Sequence, residues 1–248
     1  MRVQANERHR QPHSGVRDGR SLRRVTEPLP SLAPDLAALA AATERLLATT
    51  GHLDDRTARQ PSLLPGWSVG HVLTHIARNA DGIIRLVDWA RSGEPTPMYP
   101  SLESRERDIE AGSSRPAADL LDDVRASATR LVVALDLLST SDDDALDRLV
   151  IFGAPRPGQE PDSPGRTLPF ARLREVEIHH VDLGLAYRPG DWPADFVERT
   201  LLFVHSRSGA VDVIGDPADV LAWRIGRGTA PTLRRLDGTD PGDPPAGW

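Results

Sequence analysis

The stretch FARLREVEIHHVDLG, Phe170 to Gly184, sets two Glu, two His and one Asp on an otherwise amphipathic helical pattern. Glu175 and His179 are four apart, so their side chains share one helix face, and Asp182, three further on, joins them. Glu177 and His180 fall on another face. A solvated Glu–His pair at this spacing is common and contributes only about 0.2–0.5 kcal/mol. The same spacing lets one helix grip a single ion if a facing helix adds a ligand. The fold therefore turns on which other helices the chain can supply.

Three more long helices are legible. From about residue 29, Ser31 offers a cap, Pro34 suits a first turn, and Leu36, Leu39, Leu46 and Leu47 recur at helical spacing. In LPGWSVGHVLTHIARNADGIIRLVDWARSG, Ser68 is a good N-cap and Gly93 a stop. Between them Val69, Val72, Ile76, Ile83 and Val87 form an apolar stripe. A third helix spans roughly 117–138, with Leu120, Leu121, Val124, Leu131 and Leu135 on one face. A Pro/Gly-dense connection, FGAPRPGQEPDSPGRTLP, separates it from the helix quoted first. Beyond lie a fifth helix, about 193–206, then a short strand, a turn at Gly215-Asp216-Pro217 and a short helix. The expected fold is mainly α: a four-helix bundle with a small C-terminal α/β lobe. The expected divisions are an Arg-rich, disordered extension over 1–28, the bundle over 29–188, and the lobe with its Pro/Gly-rich tail over 189–248.

Composition narrows the chemistry. The chain has 248 residues, no Cys and no Lys, so all 30 basic residues are Arg. Disulfides, Cys-ligated metal, a protein thiol nucleophile and a Schiff-base lysine are excluded. Any metal must be held by His, Asp and Glu. The net charge of -6 gives no attraction to nucleic acid or to anionic membranes, and no apolar run would span a bilayer. The Arg-rich residues 1–28 lack the aromatic or helical pattern of a nucleic-acid arm and read as a flexible tail. A cytoplasmic protein is expected.

On the second helix His71 and His75 are both candidates for a third ligand. On a helical wheel His75 and Asn79 lie at the margin of the apolar stripe, while His71 lies further out, towards solvent. His52 and His205 sit near helix ends.

Two segments resemble the mycothiol-dependent maleylpyruvate isomerase family. LPGWSVGHVLTHIARNADGIIRLV is similar to its Gly-Trp, cap and apolar-helix motif, with His75 at the family's histidine. RLREVEIHHVDLG is similar to its second motif at Arg172, Glu175, His179, Asp182 and Leu183. The resemblance runs from about 32 to 228. It implies a DinB-like bundle with a divalent ion, usually zinc, on His75, Glu175 and His179, and mycothiol, a small thiol of actinobacteria, as cofactor. It also implies a reaction in which a thiolate adds to maleylpyruvate, frees the former double bond to rotate, and departs to leave fumarylpyruvate. LAWRIGRG resembles the family's C-terminal Trp-x-x-Gly-Arg motif, which makes Arg227 the expected catalytic donor to the developing enolate oxygen. Asp182 is expected to orient the ligands or to accept from an Arg, and Asn79 to be a polar contact near the cofactor. Trp67 is expected to anchor its helix start, and the C-terminal lobe to shape the substrate pocket. The same scaffold also suits transfer of mycothiol to an electrophile, or a bundle that binds metal without catalysis.

Overall fold

The computed structural model describes residues 32–228 and 232–243. The expected Ser31 cap and the 1–28 extension lie outside the described residues. The bundle is made by α1 (Ala33–Thr50), α3 (Val69–Ser92), α5 (Ala117–Ser139) and α7 (Leu168–Asp182), with the one-turn α2 (Asp55–Ala58) in the first connection. α3 packs on both α5 and α7, and α1 closes the square against those same two helices.

Local chemistry sets the ends of α3. The Ser68 side chain accepts from the His71 amide while the His71 ring accepts from the Ser68 amide, a reciprocal cap. Gly93, at φ 81°, ends the helix in the left-handed conformation that glycine adopts without steric cost. The expected stripe Val69, Val72, Ile76, Ile83 and Val87 is buried along its whole length, as is that of α5. Each such Ile or Leu contributes about 1.5–3 kcal/mol by leaving water.

Helix α4 (Leu102–Ser113) has no apolar periodicity to announce it. Its composition is polar and only Ile109 and Ser113 are buried. Ser101 caps it, accepting from the Ser104 amide, and Glu103 pairs with Arg107 one turn on. Two glycines of α3 admit it and the loop before it. A Cβ on Gly70 would lie 2.2 Å from the Ser113 carbonyl oxygen, and one on Gly82 would lie 2.7 Å from the Met98 side chain. The α4 segment thereby rests against α3, with Met98 and Tyr99 buried.

After α5 come α6 (Asp143–Asp147) and the antiparallel pair β1 (Leu149–Val150) with β2 (Ser163–Pro164). α8 (Ala194–Ser208) sends Phe196, Val197 and Val204 into the main core. Beyond it, β3 (Val213–Ile214) pairs antiparallel with β4 (Arg234–Arg235), and α9 (Pro217–Arg224) lies between them in sequence. Val213, Val220, Trp223 and Leu233 form a small second core there. No helix among the described residues is long and apolar enough to cross a membrane.

Candidate metal centre

His75 reaches inward from α3, and Glu175 and His179 come from α7. The His75 Nε2 is 3.1 Å from Glu175 Oε2 and 3.0 Å from His179 Nε2, and the third side, His179 Nε2 to Glu175 Oε2, is 3.6 Å. Donors about 2.0–2.1 Å from a tetrahedral zinc lie about 3.3–3.4 Å from one another. The triangle is of that size, its donors are the types zinc takes, and three donors leave one position open. His75 is 3% exposed, but Glu175 and His179 keep 22% and 14% of their side chains exposed, so the open side faces solvent.

The orientation of His179 is fixed from behind. Its Nδ1 lies 2.8 Å from Asp182 Oδ2, which leaves Nε2 bare towards the triangle. Asp182 is wholly buried and receives Arg227 at both oxygens, from Nε and Nη2, each at 3.1 Å. The third nitrogen of Arg227, Nη1, donates to the Ile225 carbonyl. Burial resists charge on Asp182, but His179 and Arg227 outweigh it and hold the carboxyl below its usual range.

The same balance governs the ligands. Burial opposes ionisation of Glu175, yet the two imidazoles hold it well below the usual carboxylate range. Burial, aided by the neighbouring His179, pushes His75 down to about 4. Burial also works against charge on His179, but Asp182 and Glu175 overcome it and raise its pKa.

A family model described as the mycothiol maleylpyruvate isomerase N-terminal domain matches residues 39–184. The chain belongs to the mycothiol-dependent maleylpyruvate isomerase family. Two crystal structures agree in fold. One, of a mycothiol-dependent maleylpyruvate isomerase, is 27% identical with a TM-score of 0.75, and the match covers 87% of this chain and 97% of that one. The other, of a histidine-to-alanine mutant of such an isomerase, is 26% identical with the same TM-score and coverage. No curated protein matches the chain at a significant level. The protein is an enzyme of this mycothiol-dependent kind, and the DinB-like helical fold is that of the family.

In this isomerase-family chain the other expected residues occupy distinct places. Asn79 is 2% exposed and its Oδ1 accepts from Arg172 Nη1 at 2.7 Å, while the same nitrogen reaches the Ile76 carbonyl. Arg172 is itself buried, which lowers its pKa to about 10 against the pull of Glu175. Trp67 starts α3 and also lies edge-on to His75, with ring centroids 5.7 Å apart. His71, expected towards solvent, is instead engaged in the Ser68 cap and lies 3.0 Å from Glu110 of α4. Its geometry serves the helix end and it stands outside the ligand triangle. Glu177 and His180, on the other face of α7, are not solvated either. Glu177 takes Arg45 and the Tyr187 hydroxyl, and His180 stacks on Tyr187 with its Nε2 at Thr49.

A cleft of about 850 Å³ runs up to Glu175. Phe152, Phe170 and Phe203 line it together with Arg156, Arg174 and Arg207, and the guanidinium carbon of Arg174 lies over the Phe203 ring, 3.5 Å from its centroid. Its walls come from α7, α8 and the 152–164 connection, with Leu102 of α4 and Thr167. The expected lobe, 189–248, contributes Phe203, Ser206 and Arg207 of α8 to this cleft, and no residue beyond Arg207 lines it. The lobe also reaches the centre through the hold of Arg227 on Asp182. Sequence reasoning also missed Arg105 of α4, which lies beside His75, and Tyr99, which lies beside Arg105. Arg105 Nη2 is 3.2 Å from His75 Nδ1, and its guanidinium lies 5.7 Å from the Tyr99 ring. Burial raises the Tyr99 hydroxyl to about 12, so it stays protonated.

Proposed function

We propose that this enzyme isomerises maleylpyruvate to fumarylpyruvate with mycothiol as its thiol, at a divalent ion, zinc by donor type, held by His75, Glu175 and His179. The observation that carries the reading is the convergence of these three donors, with the Nε2 of His179 freed by the bond from its Nδ1 to Asp182. When bound, the ion and the thiol supply a deprotonated sulfur nucleophile, which a chain without Cys cannot furnish.

The chain's own residues do the rest. Asp182 holds His179 in the ligating tautomer, and Arg227 keeps Asp182 ionised and in place. In this reading Arg227 acts by positioning, since its donors are turned to Asp182 and Ile225. Asn79 acts through Arg172, which supports the first turns of α7 beneath Glu175. The three phenylalanines of the cleft exclude water from one side of the centre. Its arginines attract an acidic electrophile.

The test is conversion of maleylpyruvate, followed with and without mycothiol, on zinc-loaded and chelator-stripped protein. Turnover that needs both components is expected. Full turnover after stripping, or without thiol, overturns the reading. Stoichiometric consumption of mycothiol would reassign the enzyme as a transferase to electrophiles.

A further inference from the structure

A neutral imidazole has one N–H. For His75 to ligate through Nε2, that nitrogen must be bare and the proton must sit on Nδ1. Yet the neighbour of Nδ1 is the Arg105 guanidinium, 3.2 Å away, and Arg can only donate. Once His75 turns its lone pair to an ion, two N–H groups face each other with no acceptor between them. Arg105 then has a donor to give, one imidazole away from the reaction centre.

A second group beside it is in the same condition. Tyr99 is 7% exposed, and its buried hydroxyl oxygen makes no well-formed hydrogen bond among the described residues, although Arg105 lies close enough to pull against the rise that burial causes. A buried hydroxyl left unpaired costs about 1–3 kcal/mol, which a bound acceptor would recover. Arg105 stands 5.7 Å from the Tyr99 ring and 3.2 Å from His75 Nδ1, so the two donors are neighbours beside the triangle. Leu102, one turn before Arg105 on α4, lines the cleft that runs to Glu175, which sets the start of this helix beside that cleft.

We propose that Arg105 and Tyr99 form an anion-binding subsite beside the metal centre that receives a carboxylate of the electrophilic substrate. The proposal rests on the reading of the His75–Glu175–His179 triangle as the reaction centre. It assigns α4, a polar helix packed on α3, a part in choosing substrates: unsaturated acids that place a carboxylate next to the reacting carbons.

The experiment is calorimetric titration of maleate into zinc-loaded protein without thiol, so that binding is read apart from turnover. Wild type is compared with Arg105→Gln, Tyr99→Phe and Arg107→Gln, and the zinc content of each is measured. Arg107 is on the same helix but exposed and paired with Glu103, so it serves as the control. Arg105→Gln should weaken maleate about 10- to 100-fold and Tyr99→Phe about 3- to 10-fold, with zinc content and the control unchanged. Maleate binding by Arg105→Gln equal to that of wild type overturns the proposal. So does absence of binding to wild type, or loss of zinc in place of maleate in Arg105→Gln. If maleylpyruvate itself is not turned over while the maleate pattern holds, the reaction assigned above fails and the carboxylate subsite stands.

Discussion

Arg227 grips Asp182 with two parallel hydrogen bonds of 3.1 Å, and through it the C-terminal lobe bears on His179, a candidate ligand of the bundle. Removing that grip should loosen the ligand while leaving every donor present. Arg227→Gln is expected to lower zinc affinity about 10- to 100-fold, the usual effect of losing support behind a ligand. Competition with a chromogenic chelator measures it. Unchanged affinity with a fall in kcat alone would place Arg227 in contact with substrate instead.

Asp182→Asn tests the same chain one link closer. An amide in place of the carboxylate removes the charge and can present an N–H to His179 Nδ1, which favours the wrong tautomer. Zinc affinity should fall by a similar factor of about 10–100. His75→Ala and Glu175→Ala, which remove donors outright, should leave little zinc by elemental analysis. Wild-type zinc content in either would remove the triangle as the metal site.

The metal-free protein should lose stability as pH falls from about 6.5 towards 4. His75 and His180 are both held down to about 4, by burial first, so over that interval the unfolded chain takes up protons that the folded chain refuses. Stability therefore rises with pH across this window. His179 has its pKa raised and works in the opposite sense only above 6.5, where its protonation favours the folded state. Thermal melts of stripped protein at pH 7 and pH 5 should show the lower midpoint at pH 5. Zinc should raise the midpoint more at pH 7 than at pH 5, because the ligands must shed protons to bind it.

Gly70→Ala places a methyl 2.2 Å from the Ser113 carbonyl oxygen. The added carbon cannot be absorbed without moving α4 off α3, and a loss of about 1–3 kcal/mol is expected from chemical denaturation. A variant as stable as wild type would show that the two helices can part there at little cost.

How far each of these features could be read beforehand follows from where the physics resides. α3 was legible because its signals are local: a Ser cap, a Gly stop and an apolar stripe between them. Glu175 and His179 were legible because helix geometry alone brings them together. Singling out His75 over His71 took a family motif as well as its place on the wheel, since His71 is diverted by a capping bond that periodicity does not register. α4 escaped notice because its order comes from the surface of α3, through Gly70 and Gly82, and leaves no apolar period of its own. Arg105 escaped with it. The interplay of Arg172 with Asn79 joins residues 93 positions apart, beyond any local pattern, although both stand in segments that were singled out.

The thin attachment of α4, with two buried side chains in twelve residues, also fixes how it moves. Its backbone amides should exchange with solvent deuterium through local opening, long before those of α3, whose release requires the whole core to come apart. The catalytic end of the molecule would then be assembled from units of unequal permanence. The donors of the triangle persist as long as the bundle does, while Arg105 and Leu102 are present only for the fraction of time that their helix is docked.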